Sequence, residues 1–208
     1  MVPNDPQDST ENFIFIRPLA WGNEHHCSAI ASELFAPHGG SRMLTHIICS
    51  DLVCSLRGSH AITYQLTVQI YFPELLAPLL RTLIHLSAPP FSRPPTRNDA
   101  GVAILISYKV RSLPKETPFW LAFGLWFRFE PVLATNTTVG SQWQQHEAVQ
   151  DDTPFIFIAH RRPESFHWTV PLDDKDLLSG RGAMGSDTAK SDDTFETLLF
   201  MRLGPLDV

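Results

Sequence analysis

The clearest pattern in the chain is the alternation of apolar and polar residues from residue 62 to residue 72. A period of two is typical of a β-strand with one buried face and one face exposed to water. The polar positions of this segment hold Thr, Gln and Tyr, without a charged residue. Such an uncharged strand face is compatible with solvent and also with packing against another chain, so both interpretations stay open.

A leucine-rich helix is predicted directly after this strand. Pro73 suits the first position of a helix and Glu74 suits its positive end. Apolar residues then recur every three to four positions as far as Ile84, which indicates a helix with one broad buried face. Pro78 cannot donate a backbone hydrogen bond. The pattern therefore predicts either a kinked helix from Pro73 or a turn followed by a helix from Pro78, ended by the sequence SAPP.

The next segment, residues 87–101, is rich in proline and carries Phe91 close to Arg93 and Arg97. Clustered prolines disfavour both helix and strand and are typical of loops. We therefore predict a mobile, basic loop here, with Phe91 exposed at its tip.

Two long apolar runs follow, at residues 100–110 and 117–132, separated by a predicted turn at Pro114. Both are typical of central strands covered on both faces. Further strands are predicted at residues 152–161, 166–170 and 195–203. The earlier segment 43–56 fits a helix or two short strands equally well.

The composition supports a mixed fold. The 208 residues are 43% hydrophobic, with 14 Phe for a core and 17 Pro for stiff connections between short elements. We predict an α+β fold, a single compact domain with a twisted, mainly antiparallel sheet packed against a few helices. This domain is expected at residues 12–172, between a flexible tail at 1–11 and an acidic, flexible segment at 173–194. A terminal strand and tail are expected at 195–208.

Three cysteines are an odd number and too few for a disulfide framework, which favours a reducing compartment. The first residues lack the basic and apolar regions of a signal peptide, and no apolar run reaches the length of a membrane span. These features predict a cytoplasmic protein, in which the glycosylation triplet at Asn136 arises by chance.

The formal charge of −6 is unevenly distributed along the chain. Residues 81–128 contain seven basic and two acidic residues, whereas residues 171–208 contain four basic and eight acidic ones. The basic region is a candidate contact for anionic lipid or RNA, and a solvated loop surface explains it equally well.

No motif for catalysis is present: the chain has no G-x-S-x-G elbow, no H-E-x-x-H pair and no P-loop. The glycine pattern at residues 180–185 lacks the preceding strand and following helix of a dinucleotide site, which favours a linker. We therefore predict a protein that is not an enzyme and has no cofactor.

Zinc is a second candidate, because thiolates and imidazoles are its preferred ligands. Cys49 and Cys54 lie among apolar residues, where cysteine usually acts as a small buried hydrophobe, so we predict no metal site. The potential ligands are His25, His26, Cys27, His46, Cys49, Cys54 and His60.

One compact cationic cluster follows a predicted strand, at His160, Arg161 and Arg162. Guanidinium and imidazole groups bind phosphate, so the cluster is a candidate contact for phosphate or RNA. The alternative is a turn whose guanidinium groups are solvated, and it is the favoured interpretation.

The order of these elements resembles the matrix proteins of negative-strand RNA viruses, in particular the rhabdovirus type. The resemblance covers about residues 61–172 and is strongest in LLRTLIHL, AILISYKVRSLP and FGLWFRFEP. It implies a viral structural protein that self-associates and links the nucleocapsid to the inner face of a membrane during virion assembly. The implied partners are further copies of the chain, the nucleocapsid, an anionic membrane surface and host factors.

The same resemblance implies a location in the virion and the host cytoplasm, as a peripheral membrane protein, with the host nucleus as a further site. It also implies that the loop presents Phe91, Arg93 and Arg97 to a membrane or a neighbouring subunit. The chain departs from the family in lacking a lysine-rich N-terminal arm and the budding motifs PPxY and P[ST]AP.

Two other functions stay open at this point. A jelly-roll coat protein of a small virus has a similar strand-rich, proline-rich composition. A viral accessory protein that binds host factors or RNA needs no catalytic residues either.

Overall fold

A computed structural model describes residues 16–34, 43–49, 73–93, 101–132 and 155–203. The alternating segment 62–72 and Arg97 lie outside these ranges. The helices are α1 (Glu24–Leu34), α2 (Leu76–Leu86), α3 (Leu113–Trp126), α4 (Asp174–Leu178) and α5 (Thr194–Leu203). The strands are β1 (His46–Cys49), β2 (Ala103–Tyr108), β3 (Phe127–Pro131) and β4 (Phe155–Arg161). Short 3-10 helices lie at Pro73–Leu75, Pro163–His167 and Ala183–Gly185.

The described strands form one four-stranded sheet in the order β1-β2-β4-β3. The β1–β2 pair is parallel, and the β2–β4 and β3–β4 pairs are antiparallel. The prediction of an α+β fold with a mainly antiparallel sheet packed against helices is therefore confirmed. The prediction for the segment 43–56 is settled for its first part only, since residues 46–49 are a strand and the residues after them are not described.

The core lies on one face of the sheet. Alternate strand residues such as Ile104, Ile106, Phe157 and Phe129 are buried there against the helices. Trp120 of α3 is at the centre of this core, fully buried among aromatic rings from the strands and from α5. Its ring contacts include those of Tyr108, Phe123, Phe129, Phe157 and Phe195.

Helix α2 forms as its apolar spacing predicts. Pro73–Leu75 is a single 3-10 turn and the α-helix begins at Leu76, which is close to the predicted alternative of a turn followed by a helix. Leu79, Leu80, Leu83 and Ile84 are buried on its inner face. The helix ends at Leu86, with Ser87 as its C-cap, as the SAPP sequence predicts.

The prediction of one central strand at residues 117–132 is wrong for its larger part, because residues 117–126 belong to α3 and the strand β3 begins at Phe127. Uniform apolarity does not distinguish a buried helix from a buried strand. The helix is fixed at its start, where the carboxylate of Glu116 accepts hydrogen bonds from the backbone N–H groups of Ser112 and Arg111. The predicted turn at Pro114 is in fact the first turn of this helix.

The prediction of a terminal strand at residues 195–203 is also wrong, because they form most of α5. The Asp192 carboxylate accepts a hydrogen bond from the Thr194 N–H at its start. Phe195, Leu198 and Leu199 pack against the core at i, i+3 and i+4 spacing, which is a helical period.

The segment 173–194 is folded rather than a flexible connection. Asp173 caps α4 by accepting from the N–H groups of Lys175 and Asp176. Leu177 and Ala183 are fully buried in the core. The predicted strand at 166–170 is likewise absent, since Phe166 and His167 belong to the 3-10 helix Pro163–His167 and no strand follows it directly.

The prediction of an exposed aromatic tip at Phe91 is wrong. Its ring is 3% exposed and packs with Cys27 and Leu86 in a small second hydrophobic cluster beside α1. The apolar ring packs between α1 and the end of α2. A proline-rich composition predicts a loop, but it does not predict whether the loop packs on the core. Arg93 is exposed.

Among the described residues, no helix has the length and apolarity needed to cross a membrane.

Candidate functional site: the open face of the sheet

One face of the sheet is left open by the described helices, which pack on the opposite face. The strand register places the side chains of this open face in rows across the sheet. The first row contains His46, Ala103, His160 and Arg128. The second row contains Ile48, Leu105, Ile158 and Glu130.

The open face carries exposed aliphatic side chains. Ile48 is 73% exposed, Ile156 is 47% exposed and Val132 is 45% exposed. Val132 continues β3 beside Ile156, to whose carbonyl oxygen its N–H donates a hydrogen bond of 2.8 Å. A sheet face that meets only water normally carries polar residues, so exposed aliphatic residues on this face are typical of a contact surface.

A cleft of about 450 Å³ lies over the β3–β4 pair on this face. The strands form its floor, and the turn that follows β4 forms its wall. Its lining residues are Arg128, Phe129, Glu130, Ile158, His160, Arg161, Arg162, Pro163 and Glu164.

Four ionisable side chains of the cleft have no partner within the described part of the chain. Arg128, Glu130 and Glu164 make no hydrogen bond or ion pair there, and Nδ1 of His160 is buried without a hydrogen-bond partner. Arg128 and His160 are directly opposite on β3 and β4. Arg128 and Glu130 are two positions apart on one strand, hence about 7 Å apart along it. The cleft therefore presents charges of both signs to whatever contacts it.

Arg161 of the predicted phosphate-binding cluster is a structural residue. It is 6% exposed, and its guanidinium donates hydrogen bonds to the carbonyl oxygens of Ile84 and Ser165 and to the Ser165 hydroxyl. The guanidinium also lies over the rings of Phe166, at 4.6 Å, and Trp126, at 5.8 Å. Burial lowers the pKa of Arg161 to about 10. Its donors are used within the fold rather than turned toward a ligand.

Arg162 is engaged in a similar way. Its Nε donates 2.8 Å to the Gly124 carbonyl oxygen, and its Nη2 lies 3.0 Å from Oδ2 of Asp192. This contact joins the end of α3 to the segment before α5. The favoured interpretation of solvated guanidinium groups is therefore wrong for both arginines, and only His160 of the predicted cluster has a ring nitrogen without a partner.

Sequence reasoning missed Arg128 and Glu130. The signal was present in FRFEP, where Phe127 and Phe129 alternate with these two charged residues at the period of a half-exposed strand. The preceding apolar run obscures it, because the apolar character of residues 117–132 as a whole predicts one strand buried on both faces.

A second groove, of about 370 Å³, lies between α1 and the end of α2. It contains Cys27, His85 and Glu24, a combination that resembles a nucleophile, a base and an acid. His85 Nε2 is 3.8 Å from Glu24 Oε1. Burial, and then the charge of Glu24, raise the pKa of the Cys27 thiol, and burial lowers the pKa of His85. A reactive thiol needs the opposite shift, so the groove does not favour nucleophilic chemistry.

The remaining sequence candidates have structural explanations. Within the described ranges, no three His, Cys, Asp or Glu side chains are grouped as metal ligands, and Cys54 and His60 lie outside those ranges. Gly180 and Gly182 of the glycine pattern have positive φ angles and close a folded turn, in which a Cβ at Gly180 would collide with the Lys190 carbonyl. This glycine-rich stretch is therefore a packed turn and not a linker.

Comparison of the chain with protein-family models, with curated proteins and with solved structures finds no match in any of the three.

Proposed function

We propose that the protein is a structural assembly protein, not an enzyme, and that it self-associates through the open face of its sheet. This is the kind of role that the resemblance to viral matrix proteins implies. The observation that carries the proposal is the surface formed by Ile48, Ile156 and Val132, which are exposed beside a cleft with unpaired charges.

The free energy expected from burying these side chains corresponds to a weak contact between two copies, which gives stable assembly only when many copies associate. Complete burial of one isoleucine side chain contributes roughly 1.5–3 kcal/mol. Association costs at least about 4 kcal/mol in lost translation and rotation, so a few such side chains give a modest affinity. A lattice of many contacts converts a modest affinity into stable assembly, which suits a protein that coats a surface.

The resemblance also implies contacts with a nucleocapsid and an anionic membrane. The ring of Phe91 is buried and is not presented to a membrane, whereas the charged side chain of Arg93 is exposed. With a formal charge of −6 on the whole chain, such an attraction depends on the local arrangement of cations.

A jelly-roll coat protein is disfavoured as an alternative. The described strands make a single sheet with helices packed on one of its faces, whereas a jelly roll packs one sheet on another. An accessory protein that binds a host factor on the open face is the alternative that the same surface supports.

Self-association is tested by sedimentation velocity over a wide range of protein concentrations. The wild type is expected to show an average mass that rises with concentration. Ile48→Lys and Ile156→Lys each place a charge on the open face, and we expect each to weaken the association at least about tenfold, which corresponds to about 1.4 kcal/mol.

Met201→Lys is the matched control, because Met201 is 74% exposed on α5 and lies outside the open face. Circular dichroism melts verify that all three variants fold. A wild type that stays monomeric at every concentration, or a Met201→Lys variant that weakens association as much as Ile48→Lys, contradicts the proposal.

A further inference from the structure

The unpaired charges of the cleft restrict the kind of partner that the open face fits. A purely anionic ligand, such as RNA, would face the carboxylates of Glu130 and Glu164. A purely cationic ligand would face the guanidinium of Arg128. The partner that satisfies both signs carries a cation and an anion at the same spacing, about 7 Å apart along a strand.

The chain itself carries such a pair, and we propose that a second copy docks face to face on the open face about a two-fold axis. In this arrangement Arg128 of each copy pairs with Glu130 of the partner subunit. The inference rests on the proposed self-association and specifies its geometry. A two-fold axis makes the two contacts equivalent, as in most homodimers.

The axis lies between the two sheets, perpendicular to the strands, and crosses β3 at Phe129. Rotation by 180° about it places the first row of one copy over the second row of the other. Arg128 then lies over Glu130 of the partner subunit, and both side chains are exposed. The facing rows thus match in charge over β3.

Sheet packing geometry is compatible with this arrangement. Packed sheets lie about 10 Å apart, with their strand directions within about 30° of each other because of their twist. Such an angle keeps the facing rows in register over β3, where the axis passes Phe129, and moves them out of register with distance from β3 toward β1. The rows should therefore match best over β3 and β4, where the unpaired charges lie.

Charge-reversal variants test whether Arg128 of each copy pairs with Glu130 of the partner subunit. Arg128→Glu gives a subunit with two acids on the open face of β3, and Glu130→Arg gives one with two bases there. Each variant alone places like charges opposite each other twice in a homodimer, so we expect its dissociation constant to rise at least about tenfold.

An equimolar mixture of the two variants restores both opposite-charge pairs in a heterodimer. The double variant Arg128→Glu/Glu130→Arg restores them in a homodimer. We expect both samples to associate within about threefold of the wild type, by sedimentation velocity at low salt. Arg181→Glu, a reversal at an exposed site on the turn after α4, is the control and should associate like the wild type.

The outcomes separate the two proposals. If the wild type does not associate at any concentration, the proposed function fails together with this inference. If the wild type associates and the single variants match it, or if neither the mixture nor the double variant regains affinity, the chain self-associates by another arrangement and only the two-fold geometry is contradicted. Recovery in both the mixture and the double variant supports the reciprocal pairing.

Discussion

Arg161 is a charged residue that is buried in the core, at 6% exposed. Three elements meet at its guanidinium: the end of β4, the last turns of α2 through the Ile84 carbonyl, and the 3-10 turn that contains Ser165. A planar guanidinium can donate to all these acceptors at once, and a lysine ammonium at the end of a flexible stem cannot. The buried charge is tolerated because its donors are matched to acceptors in the fold.

We predict that Arg161→Lys destabilises the protein by about 2–4 kcal/mol, because it leaves buried acceptors unpaired and removes the stacking on Phe166. Urea unfolding followed by tryptophan fluorescence measures the loss. Arg181→Lys is the control: Arg181 is exposed and pairs with Asp176 at 3.4 Å, so its change should stay within about 0.5 kcal/mol. Equal effects of the two substitutions would contradict the structural role of Arg161.

The burial of Arg161 could be predicted only in part from the sequence. The alternation in FIFIAHR places Arg161 on the same strand face as Phe157 and Ala159, so its inward direction was present in the pattern. The charge of the arginine side chain, however, predicts a position exposed to solvent. The acceptor that offsets burial belongs to Ile84, 77 residues earlier in the chain, and no local pattern contains that information.

At the scale of elements, Phe195 is the residue of α5 that is buried in the central aromatic core. The ring of Phe195 stacks on Trp120, with centroids 4.5 Å apart and planes 6° from parallel, and the side chain is 1% exposed. We predict that Phe195→Ala lowers the free energy of unfolding by about 3–5 kcal/mol, since it leaves a cavity beside the central tryptophan. Differential scanning calorimetry and urea unfolding measure the change.

Phe200 on the same helix provides the matched control, because it is 70% exposed. Phe200→Ala removes the same ring and should change stability by no more than about 0.5 kcal/mol. The two phenylalanine variants do not distinguish a helix from a strand at residues 195–203, because Phe195 and Phe200 lie on different faces in either structure.

Leu198→Asp distinguishes a helix from a strand. In the helix, Leu198 lies on the same face as Phe195, so we expect Leu198→Asp to destabilise the protein strongly. In a strand, Leu198 would lie on the opposite face from Phe195.

The elements that the sequence predicted well are those with an unambiguous period. Helix α2 has apolar residues at i, i+3 and i+4 between Pro73 and Ser87, and β4 alternates. Helix α3 is apolar on all sides after its first turn, so the spacing of its apolar residues does not distinguish a helix from a strand. The feature that indicates a helix is its start at Ser112, whose N–H donates a hydrogen bond to Glu116. Helix α5 did carry a signal, in Asp193 followed by Glu196 at the spacing of a capping box.

At the scale of the whole molecule, composition and element order were sufficient for the fold class but not for the extent of the core. The segment after residue 172 is acidic and glycine-rich, which is typical of a flexible connection. It nevertheless contributes Leu177, Ala183 and Phe195 to the core, each at most 1% exposed. Its ionic residues are used as well, since Asp174 pairs with Arg81 and Asp192 with Arg162.

The extent of the domain is tested by truncation. A chain that ends at Leu172 lacks α4, α5 and the glycine turn. The central tryptophan then loses its stacked ring, and Arg81 and Arg162 lose their acidic partners. We predict that this chain has no cooperative unfolding transition, weak near-ultraviolet circular dichroism and strong binding of the dye ANS. A chain that ends at Gly204 keeps all of α5 and should unfold cooperatively, as the full chain does. A cooperative transition at an unchanged midpoint in the shorter chain would contradict this prediction and would show that the domain ends near residue 172. The contacts of Phe195 and Leu177 would then contribute little to the stability of the sheet that carries the open face.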